Sequence, residues 1–529
     1  KSVAANMDAS LSVPTATSFR QVPVKTMFDN RALVNDRLRT TRGGKVSFTH
    51  LIAYAVVEAL VQMPDMNSSY TLQDGRPAVH RPEHVNFGLA IDAHRPDGSR
   101  TLVVPSVKDA ELMTFREFLT AYEDLVRRGR EGSLGVEDFQ GTTVSLTNPG
   151  GIGTTQSVPR LMTGQGAIIG VGSMAYPAGF AGTSDFALAR MGVSKVLTLT
   201  STYDHRIIQG ATSGEFLRLL ETKLTGLDGF YDRVFRSLHV PTEPYAWERD
   251  VEYNPSNQLG KPARVASLIH SYRSRGHLIA DLDPIAFRPS RHPDLSLSSY
   301  GLTSWDLDRR FPAGDFMPGS EMTLREVLSQ LRSTYCSSIG FEYMHITDPA
   351  QRRWFQERLE RPRARLTDAE RHQILRKLNQ AEAFETFLHT KYVGQKRFSL
   401  EGGESLIPAL DAILAGAARD GLDSVAIAMS HRGRLNVLTN IAGKSYRQIF
   451  TEFDGLVDPR GVHGSGDVKY HLGTEGVYTS PAGETTGVYL AANPSHLEAA
   501  DGVLEGIVRA RQDLQGQDDD GRSVLPILI

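Results

Sequence analysis

Twice in the last quarter of this chain a short apolar run leads into a polar cluster and then into a helix. Val425–Met429 runs into Ser430-His431-Arg432-Gly433-Arg434 and a helix starting near Asn436; Val488–Ala492 runs into Asn493-Pro494-Ser495-His496 and a helix to about Leu514. Strand–loop–helix units of this kind indicate a parallel sheet, whose ligand crevice lies at the carboxyl ends of the strands. Both polar clusters fall there. On the second helix Leu497, Ala500, Val503, Leu504, Ile507 and Val508 form one apolar stripe.

Residues 1 to about 225 read as another alternating α/β unit. Phe48 to Met63 has the spacing of an amphipathic helix with Ser47 as N-cap, and a second helix, Phe115 to Arg130, follows Thr114. Asn86–Asp92, Thr101–Pro105, Thr142–Leu146, Ala167–Val171 and Ser194–Leu199 read as strands. Residues 225–262, with Pro241, Pro244, Pro255 and Pro262, have linker composition. Helical spacing returns from Ala263 to Arg275, 284–322 reads as loop, and helices dominate from Thr323 to about Thr390.

At roughly 150 residues per domain, 529 residues imply about three or four domains. A net charge of −3 argues against a chain that coats nucleic acid or an anionic membrane, and no apolar stretch is long enough to span a bilayer. The one cysteine, Cys336, excludes an intramolecular disulfide and fits a reducing, cytoplasmic setting. The final apolar run, Ser523 to Ile529, reads as a strand cut off mid-sheet, so a fragment is expected.

Two places carry chemistry. Asp204-His205-Arg206, after a strand and before Gly210, offers a general base in His205; the same residues also suit a hydrogen-bonded structural histidine. In the last part His431, His463, His471 and His496 gather with Arg432, Arg434, Lys469 and Ser495. Their spacing matches no metal-ligand pattern, and basic and imidazole groups at strand ends suit a doubly anionic substrate or a diphosphate better. Gly443-Lys444-Ser445 lacks the first glycine of a phosphate loop, and Gly164-Gln165-Gly166 lacks the dinucleotide spacing.

Over residues 1–225 the sequence resembles the catalytic domain of the dihydrolipoamide acyltransferases, the E2 components of 2-oxoacid dehydrogenase complexes. Ala9-Ser10-Leu11-Ser12 resembles an early strand motif, and Leu102 to Asp109 a strand ending in Pro-Val-x-x-Asp. Ser145-Leu146-Thr147-Asn148 and Asp204-His205-Arg206 complete the likeness. It implies a chloramphenicol-acetyltransferase-like α/β fold, with His205 as base for a thiol and Thr147 as oxyanion donor. Classical members place these two groups on different subunits of a trimer. One departure stands out: Gln209 occupies the position of an aspartate. No lysine follows an aspartate, so no lipoyl-attachment motif is present and the swinging arm is expected from a partner.

From about 245 to 529 the chain resembles the thiamine-diphosphate-dependent E1 component of 2-oxoglutarate dehydrogenase. The likeness rests on Arg275 to Pro284, Lys391 to Gly402, Ser430 to Leu438, Gly466 to Gly473 and Asn493 to Glu498. The whole resembles the multifunctional fusion of both parts found in actinobacteria. It implies a layout of acyltransferase domain (1–225), linker and helical connector (226–385) and the first part of a thiamine-diphosphate-binding parallel α/β domain (386–529). In it Arg432 would contact the cofactor and Leu497 pack on it, while His471, Ser495 and His431 would meet 2-oxoglutarate. Magnesium ligands are expected after Ile529, so these residues alone are not expected to decarboxylate.

The implied activity is decarboxylation of 2-oxoglutarate, with the succinyl unit passed to lipoamide, released as succinic semialdehyde or condensed with glyoxylate. The first domain would pass succinyl groups to CoA. Implied partners are a second copy through the E1 part, a lipoyl-bearing acyltransferase and dihydrolipoamide dehydrogenase, with no nucleic acid and no membrane. The alternative makes residues 1–225 a docking module without turnover.

Overall fold

The computed structural model describes residues 7–41, 43–94, 100–250, 255–283, 285, 291–317, 319–361, 366–454, 470–493, 496–515 and 523–529. They form two compact units, Lys1–Pro362 and Arg363–Ile529.

The first unit opens with β1 (Thr15–Pro23), α1 (Lys25–Thr41) and α2 (Phe48–Gln62). Two hairpins and short strands follow: β2 (Ser69–Gln73), β3 (Arg76–His80), β4 (Phe87–Leu89), β5 (Ile91–His94), β6 (Arg100–Val103) and β7 (Ser106–Val107). Then come α3 (Phe115–Glu131), β8 (Val144–Thr147), β9 (Ala167–Ala175), α4 (Asp185–Met191), β10 (Val196–Asp204), α5 (Gly210–Leu224) and α6 (Phe230–Leu238). Six strands make one sheet in the order β1-β10-β9-β8-β4-β7. It is mixed: β8 runs parallel to β4 and β9, whereas β1, β10 and β7 pair antiparallel.

Helix α2 starts where the Ser47 hydroxyl accepts the His50 amide, which satisfies one of the donors a helix start leaves open. An amphipathic stripe was the expectation. The helix is instead buried almost all round, from His50 to Leu60, because α3 and α5 pack against it. Thr114 and Glu117 form a reciprocal capping box on α3, and Gly132 ends it at φ 72°.

Several expectations need correction. Met7–Ser10 is helical, so the motif at Ala9–Ser12 precedes the first strand rather than forming it. Asn86–Asp92 splits into β4 and β5, which join different sheets. β10 extends to Asp204, so His205 follows the strand directly. The linker-like stretch contains α6, whose Phe230, Tyr231, Val234 and Phe235 complete the first core. Proline lowered the apparent order there, yet Pro255 opens a helix in which Pro262 also sits.

That helix, α7 (Pro255–Arg275), leads a second core in the same unit, with β11 (Arg310–Pro312), β12 (Glu321–Thr323), α8 (Leu324–Tyr335) and α9 (Pro349–Leu359). The stretch 284–322, read as loop, thus contains a strand pair. Val265, Leu268, Tyr272, Leu328, Leu331 and Tyr335 pack together. Buried charges are paired, as burial demands: Arg273 Nε meets Glu360 at 2.7 Å and Lys261 meets Asp306 at 2.6 Å. Asn30 of α1 grips the Tyr245 backbone through both its amide and its carbonyl, each at 2.7 Å. Arg325 reaches Asp29, and Lys25 reaches Asp308 at 2.8 Å. Burial pushes the Cys336 thiol up to about 12, which makes it inert as a nucleophile.

The second unit comprises α10 (Asp368–Lys391), α11 (Leu406–Arg419), β13 (Ser424–Ala428), α12 (Arg434–Asn440), α13 (Tyr446–Phe453), β14 (Thr474–Thr479), β15 (Thr485–Leu490), α14 (Leu497–Leu514) and β16 (Val524–Leu528). Its sheet order is β14-β15-β13-β16. β13 lies parallel to β15 and β16, the arrangement anticipated from the strand–loop–helix pattern. β14, unforeseen, adds an antiparallel edge. On α14, Ala500, Leu504 and Val508 face the sheet, but Val503 is exposed and falls off the anticipated stripe. Among the described residues no helix is long and apolar enough to cross a membrane.

Candidate functional site

His205 sits at the carboxyl end of β10, held by its backbone and by its ring. Its amide donates to Pro14 O at 2.9 Å. Its ring Nδ1 lies 3.1 Å from Ile208 O; a carbonyl can only accept, so Nδ1 carries the proton and Nε2 the lone pair. Asp204, 1% exposed, binds the Arg206 guanidinium at 2.6 Å. Arg206 in turn lies 3.7 Å over the Tyr70 ring. The acid and the arginine therefore brace the turn, and His205 itself is exposed. Gln209 precedes α5 at its N-cap position, but its side chain makes no capping hydrogen bond.

Thr147 ends β8, and Asn148 fixes the next turn by accepting the Gly150 amide at 3.1 Å while donating to Thr49 at 2.8 Å. The strand register separates Thr147 from His205. Thr147 and Thr200 both stand opposite Gly170, five residues short of His205. At ~3.3 Å per residue along a strand and ~4.8 Å between strands, the two are roughly 19 Å apart. One copy of the chain does not bring them together.

The second unit does the opposite. The rings of His431, after β13, and His471, before β14, meet edge to face with centroids 4.8 Å apart. His471 Nδ1 donates to Asn493 O at 2.6 Å, and the Asn493 amide donates to His471 O at 3.0 Å. Asn493 Nδ2 also donates to Met429 O at 2.6 Å, tying the ends of β13 and β15. Phe398 stacks on His431 at 5.1 Å and meets Tyr470 edge to face at 4.8 Å. Arg432 is exposed, its guanidinium 3.2 Å from Glu401 O.

Beneath this cluster lies Arg434, fully buried. Its guanidinium donates to Leu472 O at 2.8 Å, to Ala491 O and to Met429 O at 3.4 Å. Burial holds it down at about 10, and among the described residues no carboxylate pairs with it. It gathers three chain segments at the crevice floor. Sequence spacing groups Arg434 with the ligand-facing cations, whereas its burial makes it a support; Asn493 carried no assigned role.

Leu497 begins α14, and its side chain lies outside the described residues, as do Ser495, His463 and Lys469. Among the described residues no three His, Cys, Asp or Glu side chains gather as a metal site. The exposed Arg432 and two imidazoles at strand ends, above the floor that Arg434 holds, form a donor set that fits an anionic group such as a diphosphate.

Residues 1–228 match the family described as 2-oxoacid dehydrogenases acyltransferase (catalytic domain), and residues 376–520 match the dehydrogenase E1 component. The chain is 56% identical over 535 residues to the 2-oxoglutarate dehydrogenase E1/E2 component of Corynebacterium glutamicum, covering 100% of this chain and 44% of that protein. It is 55% identical over 533 residues to the multifunctional 2-oxoglutarate metabolism enzyme of Mycolicibacterium vanbaalenii, covering 100% and 43%. The chain thus spans less than half the length of these relatives. Among solved structures, the dihydrolipoamide acetyltransferase of Azotobacter vinelandii aligns at 26% identity and a TM-score of 0.37, over 43% of this chain and 88% of that one. The chain thus combines a match to an acyltransferase catalytic domain with one to a dehydrogenase E1 component, and over its full length it is similar to the 2-oxoglutarate dehydrogenase E1/E2 proteins.

Proposed function

We propose that the protein decarboxylates 2-oxoglutarate with thiamine diphosphate and magnesium and passes the succinyl unit to lipoamide, with release as succinic semialdehyde or condensation with glyoxylate as other fates. The layout is 1–225, 226–385 and 386–529, and the intact protein works as a dimer beside a lipoyl-bearing acyltransferase and dihydrolipoamide dehydrogenase. The observation that carries this reading is the His431–His471 pair beside Arg432 at the ends of parallel strands. His471 donates from Nδ1 to Asn493 O, which fixes the ring and leaves its Nε2 for the substrate. His431 lies alongside for the same dianion. Arg432, with Leu497 and Ser495 from the second cluster, would hold the cofactor and the substrate. When bound, thiamine diphosphate supplies the electron sink for loss of CO2.

In the full-length protein His471→Ala should lower kcat/KM for 2-oxoglutarate by about 100-fold, read as CO2 release. Turnover near wild type would reject 2-oxoglutarate as the substrate of this site.

For residues 1–225 we infer succinyl transfer between dihydrolipoamide and CoA, with His205 Nε2 taking the thiol proton and Thr147 donating to the oxyanion. The roughly 19 Å between them requires that the two groups come from different copies. Gln209 at the position of an aspartate favours a second reading, a docking module without turnover. A succinyl-CoA/dihydrolipoamide assay of His205→Ala separates them: loss of transfer supports catalysis, and an unchanged rate supports docking.

A further inference from the structure

We propose that Glu385 is a positioning residue for the 2-oxoacid site, acting through Phe398; this rests on the substrate reading above. Glu385 lies on α10, 3% exposed. Its Oε1 accepts the Leu400 amide at 3.1 Å and Asn436 Nδ2 at 3.1 Å. Asn436 is fully buried on α12 and also donates to Ala381 O at 3.0 Å. Among the described residues Oε2 has no hydrogen-bond partner, with the Arg397 guanidinium 3.8 Å away. A carboxylate this buried is retained against its desolvation cost, and here it clamps one loop between two helices.

That loop carries a strained residue. Phe398 has φ 44°, in the left-handed region, which a bulky side chain disfavours. The conformation persists because both sides are held. Gly433 N donates to Phe398 O at 2.8 Å, and two residues on, Glu385 holds Leu400. Leu400 presses so closely on Gly433 that an added Cβ there would lie 2.5 Å from its Cδ1. The strain is not offset by burial, since Phe398 is 40% exposed. Its ring instead stacks on His431, itself against His471. A loop staple alone would need neither the left-handed backbone nor an exposed aromatic laid on an imidazole.

The test compares Glu385→Gln, Glu385→Leu, Phe398→Ala and the Leu/Ala double variant in the full-length protein, by 2-oxoglutarate kinetics and thermal unfolding. Glu385→Leu should raise KM for 2-oxoglutarate about tenfold with kcat changed less than about threefold, and Glu385→Gln, which keeps the acceptor, should stay within about threefold of wild type. The double variant should be no worse than about twofold beyond Phe398→Ala, because the two act in series. A normal KM in Glu385→Leu, or effects that multiply, overturns the proposal. Where Glu385→Leu does not fold, Phe398→Ala decides: its KM rises about tenfold with an unchanged unfolding midpoint, or the proposal fails. His471→Ala is the control. If it retains turnover, the substrate reading falls; if it loses turnover while Glu385→Leu keeps a normal KM, only the positioning role falls.

Discussion

The two histidine sites are built by opposite means. His205 is an exposed residue after one strand, braced by neighbours two or three residues away and by Pro14 and Tyr70. The His431–His471 pair joins residues 40 apart, through the buried Arg434 and Asn493, which bind carbonyls of segments far apart in sequence. A locally built site can lose its functional side chain without loss of fold. A site assembled by a buried cation cannot lose that cation and keep its floor.

The largest effect that would break this contrast is at Arg434. Arg434→Met removes the guanidinium from Leu472 O and Ala491 O, each worth ~1–3 kcal/mol, while Met429 O keeps Asn493 Nδ2, so the second unit should lose about 2 kcal/mol or more, read by urea unfolding; a loss below about 1 kcal/mol would show the cluster to be self-supporting. Next is His50, buried in α2. Burial first, and Arg31 second, hold its imidazole down at about 4, below the ordinary 6.5. The unfolded chain binds the proton more readily, so this stability is present above about 6.5 and is lost as the pH falls to about 4, by roughly 3 kcal/mol. Unfolding midpoints between pH 7 and 4 should show the loss, and a flat profile would mean that the Glu123 carboxylate, 3.0 Å from His50 Nε2, offsets the burial. His205→Ala should then change stability by less than about 0.5 kcal/mol, checked by thermal melts; a larger loss would make the turn a structural element. The smallest effect is Gln209→Asp. Its side chain caps nothing, so stability should hold within about 0.5 kcal/mol, while a drop in acyl transfer would make Gln209 a working part of the site.

What the chain alone made legible follows the same division. The parallel β13–β15 pair and its polar strand ends were readable because apolar runs entering Ser430–Arg434 and Asn493–His496 carry their own pattern. Helices α2 and α3 were readable from Ser47 and Thr114. The Asp204-His205-Arg206 turn was also local. Missing were α6, hidden in proline-rich surroundings although Phe230 and Val234 are fully buried, and β14, the hairpin partner of β15, which carries no continuous apolar run. Val503 was misplaced because helical spacing marks a stripe without saying how wide the covering sheet is.

The sequence by itself determined the fold class, the family motifs and the identity of the chemical groups, since these depend on residue type and short spacing. Only the tertiary structure decided which groups meet. Strand register sets Thr147 and His205 roughly 19 Å apart, while a guanidinium without a carboxylate partner among the described residues draws His471 and His431 together. The reason is physical: register and burial arise from contacts between distant segments, and neither is encoded in the spacing of neighbours.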